Sequence, residues 1–116
     1  MISLDYQSRT PIYEQIVNQV ERLISLGILK PSQQIQSIRE LATSLGVNPN
    51  TVKKAYEELE KRGAINTIST KGTFVTENIK KTVDRTINEK IDLIKKSVNE
   101  LMKLGVEKEE IIRKIF

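Results

Sequence analysis

Residues 37–63 read SIRELATSLGVNPNTVKKAYEELEKRG, and the spacing predicts two short helices joined by a tight turn. Ser37 is placed to cap the first helix, and Glu40, three residues on, to reach back to it, the S-x-x-E capping box. Ile38, Leu41, Ala42 and Leu45 recur on one side at helical spacing. Gly46 supplies a left-handed residue that ends the helix without a Cβ penalty. Asn48 caps again, with Pro49 at the first helical position, where its missing N–H costs nothing. Val52, Ala55, Tyr56 and Leu59 form the buried stripe of the second helix, and Gly63 closes it. The remaining face opens with Asn50, Thr51, Lys53 and Lys54 and meets no carboxylate before Glu57. The small Ala, the turn Gly and the β-branched Val suit helices that cross steeply at close range. This is the pattern of a helix-turn-helix whose second helix enters a major groove.

Composition narrows the alternatives. A chain of 116 residues holds one domain, or a small domain with an appendage. Its apolar runs are too short for a membrane span or signal peptide, so a cytoplasmic location and no membrane partner are expected. There is no Cys and no His, which removes disulfides, thiol nucleophiles, imidazole bases and most transition-metal sites. The carboxylates fall almost entirely on helical polar faces. No enzyme activity, cofactor or metal is expected. The net charge of +4 is spread evenly: residues up to Thr76 carry 9 basic and 7 acidic side chains, and those after it 10 and 8. Any basic signal must therefore be local.

Working outward, residues 1–9 carry little pattern and read as a lead-in arm. Thr10 is expected to cap a helix with Pro11 in its first turn. Ile12, Ile16, Val20, Leu23 and Ile24, widened by Tyr13 and Val17, give that helix one apolar face to floor the core, with Gly27 as its stop. A loop with a Lys-Pro-Ser turn follows, and Ile35 between glutamines alternates like a short strand. After Gly63, Ile65 and Ile68 precede, and Phe74 and Val75 follow, a Thr70-Lys71-Gly72 turn, which predicts a hairpin. A hairpin after a recognition helix is a wing, and Lys71 and Gly72 at its tip are candidates to lie against phosphates or a minor groove.

The fold class expected is mainly α with a small β hairpin: a winged helix-turn-helix over residues 1–76 and an all-helical dimerisation module over 77–116. In the tail Ile79, Val83, Ile87, Ile91, Ile94, Val98 and Leu101 recur at steps of 4, 4, 4, 3, 4 and 3, ending on the a/d spacing of a coiled-coil seam. A helix from Ile79 to Leu104 is about 39 Å long. One chain has nowhere to bury such a seam, so a homodimer is expected. Gly105 ends the helix, and Val106 with Ile111 staples a last one carrying Ile112, Ile115 and Phe116. The dimer contacts expected are Ile87, Ile91, Ile94, Val98, Leu101, Ile112 and Ile115.

PIYEQIVNQVERLISLGILKP, SIRELATSLGVNPNTVKKAYEELEKRGAI and KGTFV, in that order, resemble the DNA-binding domain of the gluconate-repressor (GntR) family of bacterial transcription regulators, over about residues 9–76. The short helical tail is similar to the YtrA-like subfamily. The chain departs from the family pattern at Ser32, where Gly is usual, and at Gln36, where Pro is usual. The resemblance implies DNA contacts at Arg39, Asn48–Thr51, Lys53 and the Lys71–Gly72 wing tip, and a repressor whose gene sits beside transporter genes. Arg39, Lys53, Lys54 and Lys71 are expected to meet phosphates, and Asn50 and Thr51 to read base edges ahead of Asn48, which is spent on its cap. The partners expected are an inverted-repeat operator in duplex DNA and a second copy of the chain. The effector is not legible. A protein-interaction scaffold built on the same fold is the competing reading, and it predicts no salt-dependent affinity for duplex DNA.

Overall fold

A computed structural model describes residues 2–116. The elements are α1 (Ile12–Ser25), β1 (Gln34–Ile35), α2 (Ile38–Leu45), α3 (Pro49–Lys61), β2 (Ile65–Ile68), β3 (Gly72–Val75), α4 (Ile79–Lys103) and α5 (Lys108–Ile115). They form two compact units: a first that runs to Thr82, and a second, Val83–Phe116.

In the first unit α3 packs against both α1 and α2. Ile16, Val17, Val20 and Ile24 of α1 meet Leu41 and Ala42 of α2 and Val52, Ala55, Tyr56 and Leu59 of α3 in one core. Ile12, Tyr13 and Leu23 are only half-buried, so the floor of the core is narrower than the expected stripe. Helix ends follow the local chemistry. Ser37 Oγ accepts the Glu40 N–H at 3.1 Å while Glu40 Oε1 accepts the Ser37 N–H at 3.1 Å, and Asn48 Oδ1 accepts the Asn50 N–H at 2.8 Å. At Gly46, with φ of 68°, the N–H donates to Thr43 O and the next N–H, of Val47, to Ala42 O, the paired bonds that close a helix in a left-handed residue.

The start of α1 differs from expectation. Thr10 does not cap it; Pro11 holds the N-cap position without any side-chain cap. Gln15 has taken over the Thr10 backbone, donating from Nε2 to Thr10 O at 2.9 Å. The same amide brackets Asp5, accepting its N–H at 2.8 Å and donating to its carbonyl at 2.9 Å. One turn on, Gln19 does likewise to Ser3. The match is metric: residues i and i+4 of a helix are about 6 Å apart along its axis, and residues i and i+2 of an extended chain about 6.6 Å. The lead-in arm therefore runs extended along α1, pinned by two glutamines.

The wing is a three-stranded antiparallel sheet in the order β1-β3-β2, one strand more than the hairpin, because Gln34–Ile35 joins its far edge. Thr73 and Val75 point inward and Gly72 and Phe74 outward, the alternation of a one-sided strand. Ser32 turns the chain into β1 at φ 63°, its N–H donating to Val75 O at 3.0 Å. The position where the family pattern has glycine thus keeps a left-handed backbone although it carries a side chain.

In the second unit α4 and α5 are joined through Gly105, and Glu107 is the α5 N-cap. Ile111 is the one buried side chain of Val83–Phe116; Val98 and Val106 are half-buried, and Ile87, Ile91 and Ile94 are 50%, 43% and 58% exposed.

A side chain in the left-handed region costs roughly 1–2 kcal/mol, and the greater freedom of an unfolded glycine cancels part of the gain from removing it. Ser32→Gly is expected to raise the melting temperature by about 2–5 °C. A calorimetric scan showing an unchanged or lower value would contradict the strain at this turn.

Candidate nucleic-acid interface

The N-terminal end of α3 is built to stay clear of the core. With Val52, Ala55, Tyr56 and Leu59 turned inward, Asn50, Lys53 and Lys54 are exposed and Thr51 is half-buried. There is no carboxylate in the first turn, so the positive end of the helix dipole meets no counter-charge there. Asn48, Asn50, Thr51 and Lys54 line one shallow depression of about 340 Å³ together with Ile12 and Tyr13 of α1. Arg39, Lys53 and Lys71, all exposed, stand outside its lining.

The two lysines of α3 are not equivalent. Lys54 Nζ lies 4.0 Å from the centroid of the Tyr13 ring, a cation–π seat worth about 0.5–1 kcal/mol at an exposed site. Lys53 Nζ is 4.0 Å from Glu57 Oε1 with both side chains exposed, a pairing of at most a few tenths of a kcal/mol. Lys54 is thus held in place before any ligand arrives, and Lys53 is free to turn. Arg39, in the first turn of α2, makes no ion pair among the described residues.

The frame behind this face is tied midway along α3 and at its C-terminal end. Arg62, the α3 C-cap, bridges Glu21 of α1 at 2.8 Å and Glu58 of its own helix at 3.1 Å. Tyr56 Oη donates to Gln36 O at 2.6 Å and joins α3 to the chain entering α2. The acceptor is a backbone carbonyl, which Pro supplies as well as Gln, so the departure at Gln36 leaves this tie intact. Burial pushes the Tyr56 phenol up to about 12, with the Glu40 carboxylate adding to the rise. The Ser37 N–H, and after it the Ser37 hydroxyl, holds the Glu40 carboxyl below its usual value.

At the wing tip, Thr70 and Gly72 adopt φ of 68° and 125°. Gln34 Nε2 donates to Lys71 O at 3.1 Å and lies where a Cβ on Gly72 would stand, 2.5 Å from it. Gly72 therefore serves the tip by leaving room for the brace that orients Lys71. Sequence reasoning missed the Tyr13 seat and the Gln34 brace. Tyr13 carries a faint signal, an aromatic at the margin of an apolar stripe; Gln34 carries none. Among the described residues no group of three or more carboxylates is placed to hold a metal ion, and no helix is long and apolar enough to cross a membrane.

A three-helix head with an exposed, carboxylate-free recognition-helix start and a braced three-stranded wing defines a winged helix-turn-helix DNA-binding protein. The chain belongs to the gntR family of bacterial regulatory proteins, whose family model matches residues 12–75. It is 46% identical to the HTH-type transcriptional repressor YtrA of Bacillus subtilis over 102 residues, covering 88% of this chain and 76% of that one. A crystal structure of a transcriptional regulator from Oenococcus oeni superposes with a TM-score of 0.73 at 33% identity, over 99% of this chain and 96% of that one. The DNA-binding domain of AraR, crystallised in complex with operator ORR3, is 30% identical with a TM-score of 0.56, over 64% of this chain and 89% of that one. The family is one of transcription regulators, not of enzymes.

Folding favours the protonated Tyr56 phenol. The stability this contributes is complete below pH 10, the ordinary value, and is lost as pH rises toward about 12. Tyr56→Phe is expected to cost about 1 kcal/mol at pH 7 from the lost hydroxyl–carbonyl bond and to flatten the alkaline decline. Urea denaturation at pH 7 and pH 11 checks both; an unchanged alkaline slope would place the decline elsewhere.

Proposed function

We propose that this chain is a cytoplasmic, sequence-specific repressor that binds an inverted-repeat operator in duplex DNA as a homodimer. The observation that carries the DNA-binding part is the first turn of α3. Asn48, Asn50, Thr51 and a pre-seated Lys54 converge on one depression with no acidic side chain in that turn. Lys53, Lys54, Arg39 and Lys71 meet phosphates, which set register and give affinity that falls with salt. Asn50 reads adenine through its amide, and Thr51 meets a thymine methyl. Asn48, whose Oδ1 is spent on the Asn50 N–H, contributes less. Gly72 lets the wing tip approach the backbone. The operator-bound domain of AraR supports the same mode of use for a similar fold. The repressor assignment follows the YtrA likeness, and a transporter operon as target rests on the subfamily resemblance alone.

The homodimer part is carried by the second unit. A helical pair with Ile111 as its single buried side chain, and with Ile87, Ile91, Ile94, Leu101, Ile112 and Ile115 exposed, lacks a core of its own. Folding such a segment needs apolar cover, and a second copy supplies it symmetrically.

Gel shifts against the promoter of the chain's own operon, run at two salt concentrations, test the reading; affinity no greater than for random duplex would sink it. Lys53→Ala is expected to weaken binding to all sequences and to reduce the salt slope by about 1, whereas Asn50→Ala loses about 1–3 kcal/mol of discrimination at a single base pair. Sequence preference left intact by Asn50→Ala would remove that residue from base reading. Sedimentation at micromolar concentration is expected to find a dimer.

A further inference from the structure

The uncovered face of α4 carries its own orientation signal. Ile91 and Val98 stand at heptad position a, and Ile87, Ile94 and Leu101 at d. This makes Lys90, Ser97 and Leu104 position g, and Asn88, Lys95 and Met102 position e. In a parallel two-stranded coil each g residue faces the partner's e residue five places on, so Lys90 meets the partner's Lys95, and symmetry repeats the clash. Neither lysine has an ion pair among the described residues to relieve it. The other such pairs, Val83 with the partner's Asn88 and Ser97 with the partner's Met102, offer no charge attraction in return.

Reversing one helix removes the clash, because g then flanks g and e flanks e. With Ile91 opposite the partner's Ile94, Ile87 falls opposite the partner's Val98. Lys90 then lies beside the partner's Ser97, and Asn88 beside the partner's Lys95, with no like charges in contact. The next layer pairs Asp84 with the partner's Leu101 and ends the apolar overlap. We propose that two copies of this chain pair through antiparallel α4 helices, with the two-fold axis passing between Asp92 and Leu93; this rests on the homodimer reading above.

The same register sets a span. Val83, where the second unit begins, lies about 30 Å from the partner's Val83 at 1.5 Å per residue. In a parallel pair the two would be about 10 Å apart, one interhelical distance. Successive major grooves on one face of a duplex are about 34 Å apart. The antiparallel pair is the one whose two Val83 positions stand apart on that scale.

Because the chain has no cysteine, single-cysteine variants report the pairing without background. Ile87→Cys and Val98→Cys, each in the whole chain, are oxidised separately and as an equilibrated mixture. The mixture is expected to form a disulfide-linked dimer and each variant alone to form none, since like positions are about 16 Å apart along the helix. Lys90→Glu provides a readout that needs no disulfide. It is expected to leave the dimer dissociation constant within about twofold, whereas in a parallel pair it would meet the partner's Lys95 and tighten the dimer several-fold. Cross-linking of either variant alone, tightening by Lys90→Glu, or a stable dimer that cross-links in neither format overturns the antiparallel register. A monomer at micromolar concentration for the unmodified chain overturns the homodimer reading itself.

Discussion

One helix supplies both the centre of the core and the candidate DNA-contacting face, and the rest of the first unit is arranged around it. α3 gives Val52, Ala55, Tyr56 and Leu59 to the interior, so its rotation is fixed by packing, and a change in that packing would re-aim Asn50 and Thr51. The ties of Tyr56, midway along the helix, to the Gln36 carbonyl and of Arg62, at its C-cap, to Glu21 add directional restraint to that burial. Polar bonds of this kind add little net stability, on the order of 1 kcal/mol each. Their geometric restraint on α3 is the larger effect.

Charge on the exposed face is organised by how firmly each cation is held. Lys54 sits over Tyr13, a contact that biases its side chain toward one position. Lys53 has only a weak, exposed carboxylate partner in Glu57. At the wing, the position of Lys71 depends on a glutamine from the opposite strand. The three lysines thus differ in local support although the overall charge is modest.

Much of the first unit was legible from local chemistry. Ser37 with Glu40, Asn48 with Pro49, and the glycines after each helix act within a few residues of themselves, so their spacing shows in the sequence. The four buried positions of α3 repeat at helical period and were equally plain. What stayed hidden acts at a distance or against type. Gln15 and Gln19 bond to backbone ten and sixteen residues away, and an amide that grips backbone leaves no periodic trace. Thr10, a good capping residue, lost its role because Pro11 starts the helix and Gln15 claims the Thr10 carbonyl. Ser32 holds a left-handed backbone without being glycine, since the Val75 carbonyl fixes its N–H. The third strand was foreshadowed by Ile35 alone, two residues being too few to establish alternation. Of the candidate site, Asn48, Asn50, Thr51 and Lys54 converge as one lining, whereas the reason Lys54 stays there is a contact between helices that spacing does not reveal.

The two glutamines that clamp the arm have a consequence for variation. Their amides recognise only peptide groups, so the two clamps place no demand on the side chains of Ser3 and Asp5, although the Asp5 carboxylate separately accepts the Gln7 N–H at 2.9 Å. The constraint is transferred to Gln15 and Gln19. Glutamate there keeps the size and shape but loses the donor, leaving a carboxylate facing the carbonyls that the amide had satisfied. The arm's exposed side chains thus carry less of the constraint than the buried Gln15 and half-buried Gln19 beneath them.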